Sequence, residues 1–225
     1  MAKTRSKKNV KSGKIVKKSS MLSKLSKEEK QTIAVVLFMI VIVASFLVFF
    51  FIFRNIGDFV YHGIKFQKTS SQGVTIYHGK IGLSTQSGTF NYNLYMRNDP
   101  RKLKIPSNVS IVLRRTGYIS FQPEISNCYA SNLAAFELAS IMSALGISVK
   151  GATTSHEEAI KQDIPEKDCA DAVNSTVIVL QQSQNSSIAQ RGDCYILNIA
   201  NCRVVDTAEA FVLEIVDGFW GMSAS

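Results

Sequence analysis

The 225 residues contain no glycine-rich phosphate loop, no cysteines at the close spacing of a zinc site, and no histidine inside a strand-like run. The first absence removes nucleotide chemistry of the phosphate-loop kind. The second, with His62, His78 and His156 scattered singly, removes structural zinc, so neither metal nor cofactor is expected. The third undercuts thiol catalysis, whose base is a histidine oriented by Asp or Asn. No internal repeat occurs. Charge is missing altogether from one stretch, Ile33–Phe53.

That stretch, IAVVLFMIVIVASFLVFFFIF, is 21 residues long. At ~1.5 Å per residue its helix reaches about 31 Å, the thickness of a bilayer's hydrocarbon core. Ser45 is its one polar residue, and a serine hydroxyl can bond back to its own helix. A cleaved signal peptide has a shorter apolar run that ends in small residues, whereas this run ends FFFIFRNIGDF. Residues 33–53 therefore read as an uncleaved transmembrane helix. Eleven of the 26 basic residues and two of the 17 acidic ones precede it, so fifteen of each sign remain and the net charge of +9 sits in the N-terminal segment. Positive flanks stay cytoplasmic, which places the N-terminus inside and the rest outside. Segment 1–32 is rich in Lys and Ser and reads as a disordered tail suited to anionic lipid headgroups. Nucleic acid or a ribosome is reachable only through residues 1–30, where no aromatic residue interleaves the lysines.

Residues 54–72 keep no hydrophobic period and read as a stalk. The rest of the chain suffices for one domain with one core, over 73–218, with 219–225 as a loose tail. Short strands are expected at Val74–Tyr77 and Ile81–Leu83 about a turn at His78-Gly79-Lys80. Further strands are expected at Thr89–Arg97, Val109–Leu113 and Tyr118–Phe121. A helix capped by Ser126-Asn127 runs to Leu145 and stops at Gly146, and strand Ile147–Val149 comes next. A short helix covers Ser155–Gln162. Thr176–Leu180 has the continuous apolar run of a central strand covered on both faces. Ser186–Gln190 and Cys194–Ala200 continue as a meander. In the last helix Val204, Val205, Ala208, Phe211, Val212, Ile215 and Val216 form one stripe, with Asp206, Glu209 and Glu214 opposite. The fold class is α/β, a mixed sheet with helices packed on it, beside one N-terminal transmembrane helix.

All four cysteines, Cys128, Cys169, Cys194 and Cys202, lie beyond the span, and an even number in an oxidising compartment implies two disulfides. Three pairings exist. A straight strand from Cys194 holds Cys202 ~26 Å away, beyond disulfide reach. In an up-down-up meander, strands 176–180 and 194–200 run the same way. Cys169 and Cys194 then share the start of those strands, while Cys202 lies at their far end. Cys128, opening a helix, sits at that far end too. Topology thus favours Cys128–Cys202 and Cys169–Cys194.

The segment NCYASNLAAFELASIMSALGISVK resembles the nucleophile helix of transglutaminase-like and papain-like cysteine enzymes. That resemblance implies Cys128 as nucleophile and His156 as base, a thiol being acidified at a helix N-terminus. The chain departs from those enzymes at His156, the one histidine after Cys128, which lies in the turn-like TTSHEEA. Glu157-Glu158 with Glu166 and Asp168 reads as a solvated acidic loop. Arg114-Arg115, with Arg97 and Arg101, reads as a polar hairpin rim. Asn108, Asn174 and Asn185 each begin an N-x-[ST] sequon.

Tyr95-Met96-Arg97-Asn98-Asp99-Pro100-Arg101, Ile105-Pro106, Cys128 opening a helix, the Thr176–Leu180 strand, Cys194-Tyr195 and the Ala208–Leu213 helix come in an order of their own. This succession resembles a group of uncharacterised archaeal single-pass membrane proteins, over roughly residues 74–217. The resemblance implies the same topology and an archaeal source, with sequons glycosylated outside the cell, and brings no activity. The residues read as a membrane-anchored extracytoplasmic binding or scaffold domain, whose partner is an envelope protein or a second copy of the chain. Two alternatives are the Cys128/His156 enzyme and an accessory protein recruited to ribosomes or translocon by the tail.

Overall fold

The computed structural model describes residues 27–54, 57–85 and 88–221. The chain divides at Gly57 into an N-terminal helical unit and a folded domain. The tail before Lys27, with its expected disorder and its lipid or ribosome contacts, lies outside the described residues.

Helix α1 spans Lys27–Arg54, so it begins six residues ahead of the uncharged run. Within it Gln31–Phe51 is long and apolar enough to cross a membrane. Leu37, Val41, Phe46 and Phe50 are each more than half exposed, on different sides of the helix. A core helix would hide one stripe, whereas an all-round apolar surface suits lipid. The Ser45 hydroxyl donates to the Ile42 carbonyl at 2.7 Å, which satisfies it within the helix.

The domain holds two sheets. In the first, β1 (Asp58–Tyr61), β2 (Ile64–Ser71), β3 (Val74–Thr85) and β4 (Gly88–Met96) form an antiparallel meander in chain order. Two expectations are corrected by it. Residues 58–71 are a hairpin of the domain, not a stalk: Ile64 and Phe66 are buried, and the Phe66 ring stacks on Phe59 with centroids 5.5 Å apart. The linker-like Lys65, Gln67, Lys68 and Ser70 of β2 are exposed. The second correction concerns His78-Gly79-Lys80, which lies mid-strand and is no turn. Gly79 pairs with Phe66, and a Cβ there would fall 2.9 Å from Ile64 and from the Phe66 ring. The glycine marks a close crossing of side chains rather than a bend.

The second sheet has the order β6-β5-β7-β9-β8, with β5 (Thr116–Phe121), β6 (Ser148–Thr153), β7 (Thr176–Gln182), β8 (Ser187–Arg191) and β9 (Cys194–Ile199). All neighbours are parallel except β8 with β9. β7 is buried along Thr176–Leu180, as a central strand must be. The expected meander is corrected in one respect: β8 lies at the sheet edge, and β9 returns beside β7. Segment Val109–Leu113, expected as a strand, joins no ladder. The N–H groups of Ser110, Val112 and Arg114 donate to the Gln190 side chain, the Tyr195 hydroxyl and the Thr176 hydroxyl instead.

Helix α2 (Pro123–Ser126) and helix α3 (Ser131–Ala144) carry the chain from β5 to β6. They replace the single helix expected from Ser126, because Ala130 takes a left-handed conformation (φ 66°) between them. Helix α4 (His156–Gln162) is capped by the Ser155 hydroxyl, which accepts from the Glu158 N–H. Helix α5 (Val204–Gly221) ends the described chain. Phe219 packs partly buried on the core, so the expected loose tail is helical as far as Gly221.

One apolar cluster joins both sheets through α3 and α5. It includes Phe66, Ile81, Leu94 and Met96 of the first sheet, Leu138 and Ile141 of α3, Phe211 and Ile215 of α5, and Ile178 and Leu180 of β7. Phe211 packs on Tyr195, with ring centroids 5.1 Å apart. Strand alternation sends Val177 and Val179 to the other face, against Tyr118 and Ile196.

The structure joins Cys128 to Cys202 and Cys169 to Cys194, with Cα separations of 5.4 and 5.2 Å. The first bridge ties the α2–α3 connection to the turn before α5. The second ties a 3-10 turn, Cys169–Asp171, to the start of β9.

Phe211→Ala should cost the domain ~3–5 kcal/mol in urea unfolding, the usual consequence of emptying a buried aromatic site. Glu214→Ala, on the half-exposed side of α5, should stay within about ±0.5 kcal/mol. Equal losses would mean that the α5 stripe is not a core face. Replacing the Cys169–Cys194 bridge by two serines should cost about 2–5 kcal/mol in the same measurement.

Candidate functional site

Between β4, α3 and α5 lies a cavity of about 170 Å³. Alternation along β4 turns Leu94 and Met96 inward, while Leu133 of α3 and Val212 of α5 supply further apolar wall. Glu137 of α3 and Glu209 of α5 also line it. Phe136 stands beside them, 68% exposed, at the rim.

The two carboxyl groups are held differently. Glu209 is 1% exposed and accepts the Arg97 N–H, the Asn98 N–H at 3.0 Å and the Asn98 amide at 2.8 Å. Glu137 has one oxygen, Oε2, shut off from solvent with no hydrogen-bond partner. Burial pushes the Glu137 carboxyl up to about 8, with the charge of Glu209 adding and that of Arg97 opposing. Burial likewise pushes Glu209 up to about 7, against the Arg97 and Asn98 donors, and Asp206 adds to the rise. The neighbouring Tyr92 hydroxyl is raised by burial and by the Glu137 charge. Two acids in one low-dielectric site cannot both ionise cheaply, so the pair retains a proton near neutral pH. Such a pair can hold or exchange a proton, or receive a cation or a hydrogen-bond donor.

The Arg97–Arg101 string is the connector beneath this site. The Asn98 amide also donates to Asp206 at 3.1 Å. Asp99, 7% exposed, accepts from the Arg101 N–H and pairs with its guanidinium at 2.7 Å. That guanidinium lies 3.8 Å over the Phe59 ring, pinning β1 to the turn after β4.

The residues singled out from the sequence lie elsewhere. Cys128 carries no thiol, because its sulfur is bonded to Cys202, and among the described residues no cysteine is free. It precedes α3 by three residues rather than opening it, which corrects its expected place. His156 is the exposed first residue of α4, with Nδ1 2.9 Å from Glu166. A second cavity at this end, lined by Asn127, Thr153 and Lys161, includes neither Cys128 nor His156. Asp168 caps a 3-10 turn and Glu158 bonds Gln162, so the acidic loop is structural. Arg114 pairs with Asp193 at 2.7 Å. Asn108, Asn174 and Asn185 are exposed. Among the described residues no cluster of metal-ligating side chains occurs.

Glu209 was expected on the polar face of α5; it is buried because β4 and its turn cover that face. Glu137 had a signal in LAAFELASIM, a lone carboxylate in a helix apolar over a wide arc. Against family models, curated proteins and solved structures, the chain finds no match.

Both acids have folded pKa values above the unfolded one, so the folded state binds more protons and loses stability as pH rises. The loss should begin above about 4.5, the ordinary glutamate value, and run through about 8. One pKa unit is worth about 1.4 kcal/mol, and coupling and partial solvation reduce the sum, so a fall on the order of 2 kcal/mol is expected. Urea unfolding at a series of pH values reads it. Glu137→Gln, a neutral isostere, should flatten the slope; an unchanged slope would place the titrating group elsewhere.

Proposed function

We propose that this chain is a single-pass membrane protein whose disulfide-bonded α/β domain works outside the cytoplasm by binding, as a receptor or scaffold unit of the cell envelope. The cavity between β4, α3 and α5 carries the binding reading. It is preformed and largely apolar, and it holds two polar groups that converge on one place, the common form of a small-ligand site. The two bridges favour an oxidising compartment. The apolar helix supplies the anchor, and the basic segment before it favours an N-terminus inside.

Two experiments test this reading. Protease added to intact cells should digest the chain beyond about residue 56 and spare the tail; protection of the folded domain would reverse the topology. Native mass spectrometry of the protein released gently from its membranes should find a bound small species. Leu94→Trp, which fills the cavity, should abolish that species while keeping the fold by circular dichroism. Identical spectra for the two proteins would remove the cavity as the binding site.

A further inference from the structure

We propose that the cavity between β4, α3 and α5 takes a small aliphatic amine as its ammonium cation, seated against Glu137 and Glu209. The inference rests on the cavity being a binding site and names what it selects. Three observations carry it. Glu137 lines the cavity, and its buried Oε2 has no hydrogen-bond partner, so this carboxyl keeps acceptor capacity that nothing in the protein uses. A second carboxyl, Glu209, lines the same small space. The remaining wall is mostly apolar, with Leu94, Met96, Leu133 and Val212, and its few other polar groups, Asn93, Ser140 and Arg97, are too sparse to pair a ring of hydroxyls. An anion would meet two acids, and a sugar would leave most of its hydroxyls unpaired. A hydrocarbon body with one cationic, multiply donating end satisfies both the walls and the oxygens.

The size of the cavity agrees with such a ligand. Cavities of about 150 Å³ accept benzene, so about 170 Å³ suits a body of roughly six or seven heavy atoms. Phe136 and Tyr92 add aromatic surface to the lining, which favours an ammonium further.

The charged and titratable groups around the pair are Asp206 on α5, Tyr92 on β4 and Arg97 just after β4. Arg97 is the only cation among them, and it is exposed. An arriving ammonium therefore replaces the retained proton, which passes to solvent, rather than breaking an internal ion pair. Affinity for the amine should rise with pH while the pair deprotonates.

The test uses the full chain in lipid nanodiscs, labelled with ¹³C at methionine methyls. Met96, buried and on the cavity wall, reports occupancy and is assigned by Met96→Leu. Cyclohexylammonium and cyclohexanol serve as probes of nearly equal shape. The ammonium should shift the Met96 signal with at least about ten-fold higher affinity than the alcohol at pH 7.5, the scale of one charge-assisted bond. That affinity should rise several-fold between pH 6 and 8.5. Glu137→Gln should remove the ten-fold preference and bring the ammonium and the alcohol to similar affinities, with a melting curve to check the fold; a preference that survives would overturn the assignment to Glu137. If cyclohexanol binds as well as the ammonium, the amine assignment fails and the cavity remains a binding site. If neither probe moves Met96, the binding reading of the cavity fails with it.

Discussion

The domain turns on the hydrogen bonds that the Glu209 carboxylate accepts from the Arg97 and Asn98 N–H groups. Those donors lie just past β4, where the antiparallel sheet ends, and the acceptor lies in the middle of α5, the helix packed against the mixed sheet. Most of α5 is buried, and on a helix so enclosed a carboxyl must find donors inside the protein. The unpaired N–H groups of a turn are the natural supply. The raised titration range of Glu209 shows that these bonds offset only part of the desolvation. Its neighbour Glu137 is less deeply buried but has no comparable donors, so burial and then the charge of Glu209 raise it further. The cavity and its acidity are thus a by-product of how the two sheets are tied together.

The bridges act on the other end of the mixed sheet and its outer face. Cys128–Cys202 holds the short α2–α3 connection beside the turn into α5, so the two helices that wall the cavity are linked covalently near their starts. Cys169–Cys194 closes the face on which Val177 and Val179 lie. A cavity kept open next to two acids, one of them with an unpartnered oxygen, needs walls that do not collapse, and this cross-linked pair of helices provides them.

Elements whose hydrophobic period stood clear of their surroundings were legible in the sequence. β7 announced its burial on both faces, β4 alternated, and α5 showed its stripe. Strand direction was enough to reason from cysteine positions to pairs, because β7 and β9 are parallel neighbours. The β1–β2 hairpin was not legible, since the exposed Lys65, Gln67, Lys68 and Ser70 look like linker and in β2 only Ile64 and Phe66 are buried. Gly79 looked like a turn because a glycine's lack of a side chain serves a close crossing equally well. The candidate site was the least legible part. Glu209 looked solvent-exposed, because nothing local to α5 tells that the turn after β4 will cover it, and the Arg97–Arg101 string acquires its meaning only across 108 or more residues of sequence. The Ser126-Asn127 cap that placed Cys128 at a helix start failed at Ala130, a left-handed residue without a glycine to signal it.

Two glutamates lining one cavity and keeping a proton near neutral pH are central to all of this. Carbon-13 detection of the glutamate side-chain carboxyls across a pH titration, assigned with Glu137→Gln and Glu209→Gln, measures this directly. The structure predicts two carboxyls titrating at about 8 and about 7, with that of Glu137 moved downward when Glu209 is made neutral. Titration of every glutamate close to the ordinary value of 4.5 would show the cavity open to water and the pair uncoupled, and would contradict the account.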